Sequence, residues 1–249
     1  MNVFEDQTEK TVSVDEGQAA ILDLPEIESK PPPEVSWHTN DGQLPYAQKY
    51  AKSKSNQLII LSTDQSDQKA YRARAINTQE GKEENSAFIR LTVEESKEHK
   101  EIQPQIIVPP EDVKIVKGTS QATLDCIANA RPLHELETLW YKDDILIENG
   151  GMYSLNDIWN RSLTLISVNT THSGKYECRV RLRSDRLDTV AAEAQVIVLE
   201  KPRFVSATRA ETLGEYGMPI SLPCDVVGIP KPNVTWYKNS QAVNLTDRR

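Results

Sequence analysis

Hydrophobic and polar residues alternate along short segments of this chain, and the same alternation occurs in three similar segments. The segments are GQAAILDL (17–24), TSQATLDC (119–126) and MPISLPC (218–224). A period of two predicts a strand with one buried face. The last inward position of each segment is Leu24, Cys126 or Cys224. The repeat of roughly a hundred residues has the size of a small β-sandwich domain.

A tryptophan follows each of these segments after 12 to 14 residues: Trp37, Trp140 and Trp236. Further alternating segments come later in the first two copies. They are NQLIIL (56–61), RSLTLI (161–166), FIRLTV (88–93) and AQVIVL (194–199). Before each final segment the chain reads Tyr71-x-Ala73 in the first copy and Tyr176-x-Cys178 in the second.

Short alternating strands with a Cys, Trp and Tyr-x-Cys spacing are typical of the immunoglobulin sandwich. The predicted fold class is therefore all-β, with tandem immunoglobulin sandwiches of the I-set type. The predicted domains are 1–98, which lacks the inter-sheet disulfide, 103–199, which has it, and 200–249. The last range holds the N-terminal part of a third domain, and half a sandwich buries little core. We expect the chain to be a fragment of a longer array.

Three cysteines are an odd number, and the repeat suggests how they are used. Cys126 and Cys178 are expected to pair across the two sheets. Cys224 is expected to pair with a cysteine in the missing strand and is unpaired by truncation. The alternative is three buried thiols in a cytosolic protein.

The first copy has Leu24 and Ala73 at the two ends of this bridge. A leucine opposite an alanine has roughly the volume to replace two sulfurs, and the paired replacement leaves no stray thiol. We therefore expect the first domain to be less stable than the second. Tyr71 and Tyr176 are expected to be tyrosine-corner residues, with hydroxyls bonded to nearby backbone.

Composition favours a protein partner. The 249 residues carry a net charge of −8, which disfavours a nucleic acid or an anionic membrane. No apolar run of 18 residues is present, so this fragment is not expected to insert into a membrane. The N-terminus has neither the basic region nor the apolar core of a signal peptide.

Enzyme and metal signals are absent from the sequence. It contains no G-x-S-x-G, P-loop or H-E-x-x-H motif, and its four histidines do not cluster with cysteines at zinc spacing. We expect no enzyme activity, no cofactor and no metal. His172 stands where the first copy has Asp67, and it is interpreted as an exposed turn residue rather than a pH sensor.

Four N-x-S/T sequons are candidate glycosylation sites: Asn160, Asn169, Asn233 and Asn244. Asn160 and Asn169 bracket a predicted strand, where turns face solvent, and are the better candidates. The charged segment 94–103 between the first two copies is expected to be solvated and to form a hinge. The second and third copies join almost directly, which predicts a stiff connection.

The fragments GIPKPNVTWYK and SGKYECRV resemble intermediate-set immunoglobulin domains. The cysteine-free first copy, with GQAAILDLPEIESKPPPEVSWHTNDG and NQLIILSTDQSDQKAYRARAINTQEG, is similar to an internal domain of the Sidekick family. The segment IVPPEDVKIVKGTSQATLDCIANARPL resembles the next domain of that family. The resemblance implies a large single-pass cell-surface protein with fibronectin repeats, which binds the same molecule on an apposed cell at synapses or cell junctions.

Two other functions remain open from the sequence. One is an intracellular array of the muscle type, in which the domains act as spacers; a Cys126–Cys178 bond or a glycan would argue against it. The other is the ectodomain of a receptor kinase or pseudokinase, which the sequence after Arg249 would reveal.

Overall fold

The computed structural model describes residue 4 and the ranges 8–24, 31–96, 101–155, 157–184, 187–206 and 211–243. Within these ranges the regular elements are β-strands and single-turn 3₁₀ helices. The 3₁₀ helices span Gln65–Asp67, Leu133–Glu135 and Thr170–His172. The predicted all-β class is therefore confirmed.

The first domain is a sandwich of two sheets. Its strands are β1 (Lys10–Asp15), β2 (Ala20–Leu22), β3 (Glu34–Thr39), β4 (Gly42–Gln43), β5 (Tyr50–Lys52), β6 (Leu58–Ile60), β7 (Ala70–Asn77), β8 (Lys82–Asn85) and β9 (Ile89–Glu94). The larger sheet has the order β1-β9-β7-β3-β4, with β8 also on β7, and the smaller has the order β2-β6-β5. Strand β1 runs parallel to β9.

The second domain repeats this plan. Its strands are β10 (Ile102–Val108), β11 (Val113–Val116), β12 (Gln121–Asp125), β13 (Ile127–Arg131), β14 (Leu136–Lys142), β15 (Ile145–Leu146), β16 (Tyr153–Leu155), β17 (Ser162–Ile166), β18 (Gly174–Leu182) and β19 (Val190–Ser206). The larger sheet has the order β11-β19-β18-β14-β15 and the smaller β12-β17-β16, while β10 pairs with β13.

The alternation seen in the sequence builds both cores. Along β7 every second residue is buried, as is every second residue along β9. Trp37 is 4% exposed and lies opposite Ala73, while Trp140 is 1% exposed and lies opposite Cys178. The two domains therefore share one register at the centre of the sandwich.

The join to the third part of the chain is a single strand. Strand β19 continues for 17 residues, and its distal end pairs with β20 (Asp225–Ile229). Beyond this pair the described residues form the hairpin of β21 (Tyr237–Lys238) and β22 (Gln241–Ala242). The direct connection expected from the sequence is thus a continuous strand.

Trp236 differs from its predicted role as a buried core residue, because it is only partly buried. Together with Phe204 and the free thiol of Cys224 it lines an open groove of about 400 Å³. In the second domain, β18 lies beside the strand of Trp140 and helps to bury it. Residues 211–243 contain no strand equivalent to β18.

Candidate functional site: the seam between the first two domains

The centre of each sandwich is closed in a different way. In the second domain Cys126 and Cys178 form a disulfide with their Cα atoms 6.4 Å apart. In the first domain Ala73 is fully buried, and Leu24, partly buried, packs against the same hydrophobic cluster. Strand β2 ends before Leu24, so this side chain reaches the core from the chain just beyond the strand.

The two tyrosines form the same corner. The hydroxyl of Tyr71 donates to the backbone oxygen of Asp67 at 2.9 Å. The hydroxyl of Tyr176 donates to the backbone oxygen of His172 at 3.0 Å. Both tyrosines are fully buried, so these bonds satisfy hydroxyls that water does not reach.

A capped 3₁₀ turn precedes each tyrosine, and in the first domain the cap is ionic. The Ser66 N–H donates to Asp64 Oδ1 at 2.8 Å, and the Asp64 N–H donates back to Asp67 Oδ2 at 2.8 Å. The Lys49 ammonium lies 2.5 Å from Asp64 and 2.6 Å from Asp67. Two carboxylates and one cation therefore hold this turn.

In the second domain the equivalent cap is neutral, and the interpretation of His172 as an exposed turn residue is wrong. His172 is fully buried. Its Nδ1 accepts the Asn169 N–H at 3.1 Å, and its Nε2 faces the Met152 carbonyl oxygen at 3.4 Å. Its ring packs edge-on against Tyr153, with the ring centroids 5.6 Å apart. The imidazole thus supplies the acceptor that Asp67 supplies in the first domain.

The ionic cap should make the first domain sensitive to acid. Burial opposes the charge of Asp64, but hydrogen bonds from Lys49 and Ser66 lower the pKa of Asp64 from 3.8 to about 2. Because the folded pKa lies below the unfolded one, this group contributes stability above about pH 4 and loses it as the pH falls toward 2. We expect Asp64→Asn to flatten the dependence of the first domain's stability on pH in that window.

Urea unfolding at pH values between 5 and 2, with hydrogen exchange on β7 as the readout, measures how the stability of the first domain depends on pH. Asn169→Ser is the matched control, because it changes the neutral cap and removes no titrating group. An acid slope that is the same in Asp64→Asn and in the parent chain would contradict the assignment.

The two domains meet along a seam that begins with β6. Leu58 and Ile60 point into the sandwich core, whereas Ile59 and Leu61 form a separate buried cluster with Ala51 and with Ile127 of the second domain. Ile59 is 0% exposed and Leu61 is 1% exposed. A strand buried on both faces has a continuous apolar run instead of an alternating one. The continuous apolar run LIIL (58–61) is therefore a sequence signal for burial on both faces. An assignment based on alternation alone places these residues in the sandwich core.

A buried asparagine joins the backbones of the two domains. Asn129, on β13, is 0% exposed. Its Nδ2 donates to the Gly17 carbonyl oxygen at 2.9 Å, and its Oδ1 accepts the Ser62 N–H at 2.7 Å. Gly17 has φ +88°, and a Cβ there would lie 2.6 Å from Ile102 Cδ1. A side chain at this position would strain the backbone and require Ile102 to move, so glycine suits the seam here.

A buried arginine closes the other end of the seam. Arg161 is 8% exposed, and its Nη1 donates to the carbonyl oxygens of Tyr50 at 3.0 Å and Gln48 at 3.2 Å. Its Nε donates to Asp157 Oδ2 at 2.6 Å, and its guanidinium carbon lies 4.6 Å from the Trp159 ring centroid. Asp157 and Trp159 therefore hold the guanidinium where it reaches the first domain.

Aromatic and polar contacts surround this arginine. The rings of Trp159 and Tyr46 lie 5.0 Å apart, and Gln48 Nε2 donates to the Leu133 carbonyl oxygen at 2.8 Å. An apolar centre with a polar rim is the usual anatomy of a specific interface.

Segment 94–103 was expected to be a solvated hinge, and residues 97–100 lie outside the described residues. The contacts across the seam hold the two domains together regardless of that segment.

The structure gives Asn160 a role that does not depend on a glycan. Asn160 has φ +56°, its carbonyl oxygen accepts the Trp140 indole N–H at 2.8 Å, and its Nδ2 donates to the Thr138 carbonyl oxygen at 3.3 Å. In the first domain Asn56 has φ +63°, and its carbonyl oxygen accepts the Trp37 indole N–H. Asn56 lies in no sequon. Asparagine tolerates this left-handed conformation better than most residues.

The other three sequons differ in their surroundings. Asn169 is the cap residue described above, and its Oδ1 accepts the Thr171 N–H at 2.9 Å. Asn233 is exposed. Asn244 lies outside the described residues.

We expect glycan occupancy to be higher at Asn233 than at Asn160 when the chain is secreted from animal cells. The neighbours of Asn160, Trp159 and Arg161, carry the seam, so a glycan there would crowd the first domain. Mass spectrometry of glycopeptides before and after enzymatic deglycosylation measures both occupancies. Asn233→Gln should abolish the mass shift of the peptide that contains residue 233, and full occupancy at Asn160 would contradict this order.

The described residues contain no cluster of side chains suited to hold a metal ion. Within the same part of the chain, no helix has the length and apolar character needed to cross a membrane.

Two family models match the chain. The model described as immunoglobulin I-set domain matches residues 3–93, and the model described as immunoglobulin domain matches residues 103–181. With the two sandwiches and their shared register, these matches define a tandem array of immunoglobulin domains.

Comparison with individual proteins identifies the family. The chain is 52% identical to protein sidekick of Drosophila melanogaster over 245 residues, which cover 98% of this chain and 11% of that protein. It is 36% identical to protein sidekick-2 of Mus musculus over 246 residues, again 98% of this chain and 11% of the relative. The solved structure of Sidekick-1 immunoglobulin domains 1–4 superposes with a TM-score of 0.81 at 32% identity, covering 95% of this chain and 62% of that one. The chain belongs to the Sidekick family, and it spans 11% of the length of these two curated relatives.

Proposed function

We propose that this chain is part of the extracellular immunoglobulin array of a membrane-anchored adhesion protein, and that the protein binds the same molecule on an apposed cell at a synapse or cell junction. The observation that carries the proposal is the 52% identity to protein sidekick across 98% of the chain. The Cys126–Cys178 disulfide supports an oxidising, extracellular location.

The seam supports this function physically. Domains that are held in one relative orientation lose less entropy on binding than domains on a free hinge. Weak contacts between single molecules then gain avidity when many copies face each other across two membranes. A net charge of −8 suits a solvated surface that meets other proteins.

A cell-aggregation assay tests the proposal. The full-length parent that contains this chain is expressed in non-adherent cells, which are mixed with labelled cells that lack it. We expect aggregates of expressing cells only, and we expect a parent lacking residues 1–199 to lose them. Mixed aggregates would instead indicate a different partner molecule, and single cells would overturn the adhesion function.

A further inference from the structure

The exposed face of the first domain's larger sheet carries four polar side chains in a rectangle. Ser36 and His38 lie on β3, and Arg74 and Arg72 lie directly opposite them on β7. Neighbouring corners are about 5 Å apart across the strands and about 7 Å apart along them. Ser36 Oγ and His38 Nε2 are 2.9 Å apart and share a hydrogen bond.

The two arginines of the rectangle are unequally neutralised. Arg74 forms an ion pair with Glu83 of β8, but its buried Nε has no hydrogen-bond partner among the described residues. The guanidinium carbon of Arg72 lies 5.3 Å from the Phe88 ring centroid. Among the residues that the structure describes, no carboxylate lies within salt-bridge distance of Arg72.

The second domain has a different set of side chains at this place. Leu139, Tyr141, Arg179 and Glu177 take the four equivalent positions, in the same register around the central tryptophan. Glu177 accepts hydrogen bonds from Arg179 at 2.9 and 2.8 Å, and the Arg179 guanidinium lies 4.1 Å over the Tyr141 ring. Glu177 corresponds to Arg72. The first domain thus has a second cation where the second domain has a carboxylate that pairs within its own sheet.

We propose that the rectangle of Ser36, His38, Arg72 and Arg74 binds the carboxylate side chain of an acidic segment on a protein partner. Arginine forks match carboxylates in two parallel hydrogen bonds. The incoming carboxylate takes the place that Glu177 fills in the second domain. This inference rests on the proposed role in protein recognition and names the chemistry of one contact.

The surroundings favour a single carboxylate over a sulfated polysaccharide. Glu83 lies beside Arg74, and the exposed Glu34 stands two residues before Ser36 on the same strand. These carboxylates and the net charge of −8 repel a long polyanion, which extends over more of the acidic surface, more strongly than a short acidic peptide. A single side chain entering beside Arg72 avoids them.

His38 provides a reporter inside the rectangle. Burial, followed by the charges of Arg74 and Arg72, lowers the pKa of the His38 imidazole. A carboxylate that docks here favours the charged imidazole, so it should raise the pKa of His38. The neighbouring strand β8 contributes the carboxylate of Glu83, which pairs with Arg74, and β3 itself carries the exposed Glu34.

The test uses the whole chain and a hexaglutamate peptide. NMR titration of the His38 ring with and without the peptide should show its pKa moving upward, and calorimetry should show binding. Arg72→Glu restores the arrangement of the second domain and should weaken binding about tenfold or more, the loss expected for one charge-assisted pair. Arg181→Glu makes the same charge change on the second domain's sheet and should leave binding unchanged.

Three results would overturn the proposal. The His38 titration could be unaffected by hexaglutamate, the two charge reversals could weaken binding equally, or a heparin fragment could bind at His38 while the peptide does not. Hydrogen exchange on β7 checks that Arg72→Glu is folded. The chain could bind hexaglutamate while its full-length parent fails to aggregate cells. That result would support the carboxylate site and contradict only the proposed adhesion function.

Discussion

Replacing Ile59 with aspartate should open the seam between the first two domains while both sandwiches stay folded. Ile59 is fully buried, but it belongs to the seam cluster and not to the core of its own domain. The substitution loses about 1.5–3 kcal/mol of apolar burial and leaves an unpaired charge in an apolar contact. We expect the seam to be weakened by about 3 kcal/mol or more, roughly a hundredfold in its closing equilibrium.

Small-angle X-ray scattering measures the opening as a larger radius of gyration, and hydrogen exchange reports the loss of protection on β13. Ile21→Asp is the matched control. Ile21 pairs with Ile59 on the neighbouring strand and points to the same side of the sheet, but it is 38% exposed. Its replacement should leave the scattering unchanged. Identical scattering curves for the Ile59 variant and the parent chain would disprove the assignment of the seam.

Removing the disulfide should lower the free energy of unfolding of the second domain by on the order of 4 kcal/mol. The bond joins residues separated by 52 positions, and in the loop-entropy model a bridge of that length constrains the unfolded chain by this amount. The change is Cys126→Ala with Cys178→Ala. Denaturant unfolding followed by hydrogen exchange on β18 measures the difference within the whole chain.

The first domain suggests the control for this experiment. Cys126→Leu with Cys178→Ala transfers the Leu24 and Ala73 pair into the second domain, and the leucine should regain about 1.5–3 kcal/mol of burial. For the same reason β7 of the unaltered first domain should exchange faster than β18 under oxidising conditions. Slower exchange on β7, or equal losses in the two double variants, would contradict this account of the missing bridge.

The candidate site was less accessible to sequence reasoning than the fold. The repeat suggested that His172 replaces Asp67, but only the buried turn shows that the ring replaces a carboxylate as a cap acceptor. Asn160 looked like a surface sequon because its partner, the Trp140 indole, is 20 residues away. Asparagine favours the left-handed conformation that both Asn160 and Asn56 adopt, and this preference is a local signal for a structural role. At Asn160 the sequon motif suggests a glycan instead.

Strand periodicity, the spacing of the tryptophans and the paired loss of two cysteines were sufficient to predict the sandwiches and their family from the sequence. These features are local or repeat at a fixed distance, so they survive in a one-dimensional pattern. The partners that meet across the seam were decided by tertiary structure alone. Arg161 meets Gln48 and Tyr50 across more than 110 positions, and Asn129 meets Gly17 across 112. Such contacts depend on the relative orientation of two folded domains, and no period or spacing along the chain encodes that orientation.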